Sequence, residues 1–235
     1  MTSPSADTLK RAAAMRAADL VQSGMKLGLG TGSTAEIFVE ILADRMRGGL
    51  KIVGTPTSKR TEDKARALGV PLDDLDKLAP LDLTIDGADE ADNDLNLIKG
   101  GGGALLREKI VAASSKRMAV IADESKLVQR LGKFPLPVEV IAFGHATTAR
   151  RISDAAHKLG YKIAPNLRIR DGAPYRTDGG NYIYDCPFGA ITDVPRLAAA
   201  LSQITGVVEH GLFVGLATTL ILAGPRGIKL IERNA

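Results

Sequence analysis

From residue 25 onward the chain repeats one unit: a short apolar run, a polar or glycine-rich turn, then a stretch with helical periodicity. Residues 25–29 lead through Gly30-Thr31-Gly32-Ser33-Thr34 into a helix over 35–47. Residues 50–53 lead through Thr57-Ser58 into a helix that reaches Leu68 and is closed by Gly69-Val70-Pro71, and 81–85 form a third strand. Strands joined through helices are parallel neighbours, so the repetition predicts an α/β fold: a mostly parallel sheet with helices on both faces. In such sheets ligands bind beyond the carboxyl ends of the strands. That points to the loops at 30–34, 86–92 and 99–103. A helix over 8–24 precedes the first unit, and 118–122 supplies a further strand.

The pattern changes at Gly132-Lys133-Phe134-Pro135-Leu136-Pro137, whose closely spaced prolines read as a linker. Beyond it come a strand at 138–143, a helix at 147–159, strands at 167–170 and 181–185, a helix at 194–204 and a strand at 207–209. The order βαββαβ is ferredoxin-like. Residues 212–223 and 228–231 are apolar enough to rejoin the first sheet. The expected organisation is a catalytic α/β domain made of 1–131 and 210–235, with a smaller α+β domain, 132–209, inserted into it.

Composition excludes several classes. The formal charge of +4 comes from dispersed residues, which suits a small anionic substrate and an ordinary solvated surface equally well. With no Trp and few aromatics there is little to stack on bases, and no nucleic-acid partner is expected. The single cysteine, Cys186, cannot close an intrachain disulfide and reads as a buried apolar residue. Residues 1–26 carry charges throughout, without a signal core or a membrane span, so the expectation is a cytoplasmic protein with no membrane partner.

Three segments carry chemistry. Gly28-Leu29-Gly30-Thr31-Gly32-Ser33-Thr34 places small residues, hydroxyls and amides at a helix N-terminus, the construction of an anion site or of a plain tight turn. It is neither of the familiar nucleotide loops. Ser33 stands where a dinucleotide fingerprint needs glycine, no acid lies in 51–55, and the sole Gly-Lys, Gly132-Lys133, is followed by Phe134. Asp82-Leu83-Thr84-Ile85-Asp86-Gly87-Ala88-Asp89-Glu90 ends a strand in clustered acids, which fits a capped turn or a set of ligand-binding carboxylates. His145, His157 and His210 lie far from it in sequence and lack zinc-motif spacing, so no metal and no cofactor are expected. Lys99-Gly100-Gly101-Gly102-Gly103 gives up much backbone entropy on ordering, which argues that the chain passes close to something there. Glu108, a turn into the following helix, faces either solvent beside Lys109 or the site. An anion cradle, carboxylates, a lysine and a glutamate suit proton transfer on a phosphorylated small molecule.

These segments resemble the A-type ribose-5-phosphate isomerase family, in order and over nearly the whole chain. Ser125-Lys126, the 132–140 segment and His210-Gly211-Leu212-Phe213 resemble it too. The resemblance implies interconversion of ribose 5-phosphate and ribulose 5-phosphate, in the non-oxidative pentose phosphate pathway, with Glu108 as general base and Asp86, Asp89 and Lys99 handling the sugar. It implies Thr31, Ser33, Thr34 and Lys126 at the phosphate, Lys10 as a further contact, and Gly32, Gly87, Ala88, Gly100, Gly101 and Gly102 as backbone around the substrate. It also implies a homodimer or homotetramer. The 177–185 segment departs from the family's usual wording and is expected to lie away from the site. A sugar-phosphate sensor and a coenzyme A transferase with a glutamate nucleophile share related folds. A regulator built on the sensor would need a helix-turn-helix module, and turnover of ribose 5-phosphate without a thioester separates the transferase from the isomerase.

Overall fold

The structure is a computed structural model and describes residues 4–233. Residues 1–3, 234 and 235 of the expected larger domain lie outside the described residues. Helix α1 (Ala6–Ala18) is capped by Ser5, whose side chain accepts from the Thr8 amide. The buried alanines 13, 14, 17 and 18 let it lie close against its neighbours. Then follow β1 (Lys26–Leu29), α2 (Ser33–Arg47), β2 (Val53–Pro56), α3 (Lys59–Ala67), the one-turn α4 (Leu75–Leu78) and β3 (Leu83–Asp86). A short hairpin, β4 (Glu90–Ala91) and β5 (Leu97–Ile98), precedes α5 (Leu105–Ala113), β6 (Met118–Asp123) and a 3-10 turn, Glu124–Lys126.

The next stretch holds β7 (Leu136–Val140), α6 (His145–Lys158), β8 (Asn166–Leu167), the small hairpin β9 (Ile169–Arg170) and β10 (Ala173–Pro174), then β11 (Tyr182–Cys186), α7 (Val194–Ser202) and β12 (Val207–His210). Finally come β13 (Leu212–Phe213), β14 (Thr219–Gly224) and β15 (Gly227–Glu232).

The main sheet has the order β2-β1-β3-β6-β14-β15, parallel except for the edge strand β15. The chain runs from β1 outward to β2 and then crosses back to β3 on the other side of β1. The carboxyl ends of β1 and β3 therefore open a crevice where successive connections diverge, the usual ligand position in doubly wound sheets. Alternation along the strands serves both faces. Ala119, Ile121 and Ile221 pack with α1 and α2, while Met118, Val120, Leu220 and Leu222 pack with Ala112 of α5 and with Phe213.

The second sheet has the order β12-β7-β11-β8 with every pairing antiparallel, the ferredoxin-like arrangement, and it shares a core with α6 and α7. A third, β13-β5-β4, joins the Leu212–Phe213 strand to the acidic-loop hairpin. Expected and observed elements differ in places. Residues 50–53 are not the second strand. It lies at Val53–Pro56, because pairing with β1 sets Lys26 opposite Val53. Leu136 and Pro137 belong to a strand rather than a linker. Pro137 sits near the strand's start, where one missing donor costs little, and its carbonyl accepts from the Gly211 amide at 2.7 Å. Among the described residues no helix is long and apolar enough to cross a membrane.

Candidate active site

At the end of β3, Asp86 is wholly buried beneath the first glycine loop. Its Oδ1 accepts from the amides of Thr31 at 3.0 Å and Gly87 at 2.7 Å. Gly30 is required here by space: a Cβ on it would lie 2.2 Å from the Asp86 carboxyl oxygen and 2.5 Å from Asp86 Cα. Gly32 then begins α2 without a side-chain cap, at φ 110°. The first-turn amides and the positive end of the helix dipole at Ser33 and Thr34 are left without a side-chain cap. Thr31 behaves differently from its neighbours. Its hydroxyl turns away into a cluster with Thr57 at 2.7 Å, Ser58 at 2.8 Å and Thr61 at 3.2 Å.

The β4–β5 hairpin delivers Lys99. Its ammonium lies 3.0 Å from Asp86 Oδ2 and 3.2 Å from Glu108 Oε1, and donates to the Gly87 carbonyl at 2.6 Å. Its backbone is fixed by the Gly211 carbonyl at 2.9 Å, and the Phe213 ring packs 5.6 Å from its ammonium. Glu108, in the first turn of α5, is buried rather than facing solvent, and its Oε2 has no hydrogen-bond partner. Burial raises the Glu108 pKa to about 8. The Lys99 charge pulls it down, and the neighbouring Asp86 carboxylate adds to the rise. Asp86 is raised for the same first reason, burial, against the pull of Lys99. Burial alone would discharge Lys99, but Asp86 and Glu108 outweigh it and hold the ammonium charged. Two carboxylates beside one ammonium titrate as a coupled set, and burial pushes both carboxyls upward.

The second glycine loop closes the crevice. Asp89 Oδ2 accepts from the Gly101 amide at 2.8 Å, and a Cβ on Gly101 would sit 2.6 Å from that carboxylate. The close approach argued from the four glycines is thus found at Gly101. At Gly103 a Cβ would meet the Tyr175 hydroxyl at 2.2 Å. Gly102 has only ordinary contact, with Thr31 Cγ2 at 3.6 Å. Lys126 reaches the crevice from the 3-10 turn after β6, and Lys10 comes from α1, where it lies 3.5 Å from Asp7. A cavity of about 530 Å3 results. It is lined by Lys10, residues 31–34 and 87–89, residues 99–102, Glu108 and Lys126. Asp86 alone of the sequence-derived candidates lies beneath it instead of on its wall. Among the described residues no group of three or more His, Cys, Asp or Glu side chains is placed to hold a metal ion.

The sequence missed one side of the site. Two residues that precede the 177–185 segment reach the loops: Arg168 donates to the carbonyls of the second glycine loop, and Tyr175 covers Gly103. Asp178 accepts from the Lys59 amide at 2.8 Å and lies 3.5 Å from Arg107. These contacts join residues far apart in the chain, so no local pattern announces them.

The family model described as ribose 5-phosphate isomerase A (phosphoriboisomerase A) matches residues 53–227. The ribose-5-phosphate isomerase A of Rhodopseudomonas palustris (strain BisB5) is 59% identical over 230 residues, covering 97% of this chain and 98% of its own. That of Nitrobacter hamburgensis is 58% identical over 231 residues, covering 97% and 99%. Among solved structures, ribose 5-phosphate isomerase from Plasmodium falciparum superposes with a TM-score of 0.93 at 40% identity, over 97% of this chain and all of its own. A D-ribose-5-phosphate isomerase in complex with phospho-erythronic acid gives 0.90 at 35% identity, over 98% and 100%. A family model across most of the sequence, and relatives matching from end to end, show that the chain belongs to the ribose 5-phosphate isomerase A family.

Proposed function

We propose that this aldose–ketose isomerase interconverts ribose 5-phosphate and ribulose 5-phosphate with Glu108 as the base. The observation that carries the assignment is a buried carboxylate with one unpartnered oxygen, in a polar cavity 3.2 Å from a buried ammonium. Ionised Glu108 takes the C2 proton of the open-chain aldose and returns it to C1, while the O2 hydroxyl proton moves to O1. The enediolate formed between these steps is stabilised by Lys99, whose charge the two carboxylates maintain. Asp89, fixed by the Gly101 amide through one oxygen, has the other free for a sugar hydroxyl. Asp86 is wholly buried, so its part in ring opening and hydroxyl handling runs through Lys99, which it orients. The phosphate is placed at the uncapped start of α2, against Ser33, Thr34 and Lys126, with Lys10 at the margin. Thr31 shapes the loop there without donating to the phosphate, since its amide is held by Asp86 and its hydroxyl by Thr57 and Ser58.

The test is Glu108→Gln, which keeps size and hydrogen bonding but cannot accept the proton. Base catalysis is worth about 10²–10⁴-fold, so kcat falls by at least that order while the sugar phosphate still binds. Exchange of the C2 proton into deuterated water falls in parallel. Wild-type turnover and exchange in the folded variant would move the base to another residue. We also read 132–209 as an inserted domain, since its sheet closes before β14 rejoins the main sheet. A homodimer or homotetramer is expected in solution. Phe143, 90% exposed with Ile141 nearby, leaves apolar surface for such a contact, and light scattering on the eluted protein measures it.

A further inference from the structure

Arg168 stands on the far side of the second glycine loop from the substrate cavity. Its guanidinium is locked by a two-pronged pair with Asp185 of β11: Nε donates to Oδ2 at 2.9 Å and the terminal nitrogen to Oδ1. That leaves Nη1 aimed at the loop, where it donates to the Gly100 carbonyl at 2.8 Å and approaches the Gly101 carbonyl at 3.3 Å. The Gly100 carbonyl and the Gly101 amide are two ends of one peptide group. Its other end donates to Asp89 Oδ2 at 2.8 Å. A single peptide plane therefore bridges a fixed cation and a carboxylate of the cavity wall. The side chain is only 12% exposed, so little water competes for the bond. Hydrogen bonds in such a chain polarise one another, and a planar two-pronged guanidinium fixes direction where an ammonium would not.

We infer that Arg168, held by Asp185, is a positioning residue for the isomerase reaction: through the Gly100–Gly101 peptide it orients and polarises the donor that fixes Asp89. This rests on the functional reading above. It extends the site to the ferredoxin-like sheet, which the glycine loop alone would not require. Tyr175, which follows β10, covers Gly103 and its ring lies 6.0 Å from the Arg168 guanidinium.

The experiment combines kinetics with amide exchange on glycine-labelled protein. In folded Arg168→Ala, misplacement on the ångström scale lowers kcat about 10²-fold, while KM for ribose 5-phosphate stays near the wild-type value because the phosphate end is untouched. The Gly101 amide exchanges about tenfold faster, as expected when the peptide loses the charge-assisted bond at its Gly100 carbonyl end, while amides of β3 keep their rates. Guanidinium ion, well below denaturing concentration, restores part of kcat. Asp185→Asn shifts kcat and Gly101 exchange in the same direction by less. If Arg168→Ala does not fold, Arg168→Lys carries the test, with a smaller loss of kcat and the same selective change at Gly101. Wild-type kcat in the folded variants, or a loss of activity in which Gly101 exchange does not change, overturns the inference. A wild-type protein that fails to turn over ribose 5-phosphate would instead refute the functional reading, and the Gly101 measurement would still decide whether Arg168 holds the loop.

Discussion

As the proposed base, Glu108 would set both stability and activity. Burial raises its pKa from the ordinary 4.5 to about 8, so the folded protein holds this proton over a range where the unfolded chain has lost it. The contribution to stability is therefore fully present below 4.5 and is lost as pH climbs through about 8. Glutamine imitates the protonated form and does not titrate. Calorimetry on Glu108→Gln and wild type should show the variant gaining in Tm, relative to wild type, as pH rises across that window. The opposite trend would mean that Lys99 over-compensates the burial. The base must be ionised to act, so activity moves the other way: kcat/KM rises with pH toward a plateau with an apparent pKa of about 8, a property of the coupled carboxylates and lysine together. A profile flat between roughly pH 6 and 9 would contradict it. Glu108, Lys99 and Asp89 could be found in the sequence because each sits on or beside a loop with an unusual local pattern. The burial of Asp86 and the reach of Arg168 could not. Both depend on which strands become neighbours, and Arg168 meets Gly100 across 68 positions of chain.

The loops behave as elements whose glycines differ in purpose. A methyl on Gly30 would strike Asp86 backbone at 2.5 Å, which a side-chain rotation cannot relieve. Overpacking of this kind costs about 1–3 kcal/mol, so Gly30→Ala should lower Tm by roughly 2–12 °C in a domain of this size. At Gly101 the methyl would meet only the end of Asp89, at 2.6 Å, so Gly101→Ala should keep Tm close to wild type and lower kcat by displacing that carboxylate. Reversal of these two outcomes, read by thermal melts and steady-state kinetics, would show that the loops are not divided in this way. The helix α3 carries a similar lesson, because its first amide, Lys59, is satisfied by Asp178 from the segment before β11. Element types were legible from periodicity and turn residues, and the ferredoxin-like order emerged from the same signals. Boundaries were less so. Residues 50–53 look like a strand by composition, but pairing with Lys26 begins at Val53, and Leu136 and Pro137 look like part of a linker until β7 finds partners on both sides. Register is a property of the pair, which one strand's sequence does not contain.

Across the whole molecule, the proposed substrate would touch parts carried by four different elements: the start of α2 after β1, the turn after β6, the glycine loop beyond β5 and the first turn of α5. A ligand held at both ends should therefore stabilise the native state by linkage, by about 2.7 kcal/mol at a hundred times its Kd. For a chain of this length that is a rise in Tm of roughly 5–11 °C. A sugar-acid phosphate is a suitable probe: on the proposed reading its phosphate would sit at the α2 end and its carboxylate would bring negative charge to Lys99. Inorganic phosphate can occupy only the first of these positions, so at equal concentration it should raise Tm by less. Lys126→Ala should diminish the response to both ligands, whereas Glu108→Gln should leave both intact, because it removes a proton acceptor but no cation. Equal shifts from the two ligands would mean that the carboxylate end finds no partner in the cavity. A Lys126→Ala protein that responds like wild type would move the phosphate away from the turn after β6, and with it the end of the substrate that aligns C2 with Glu108.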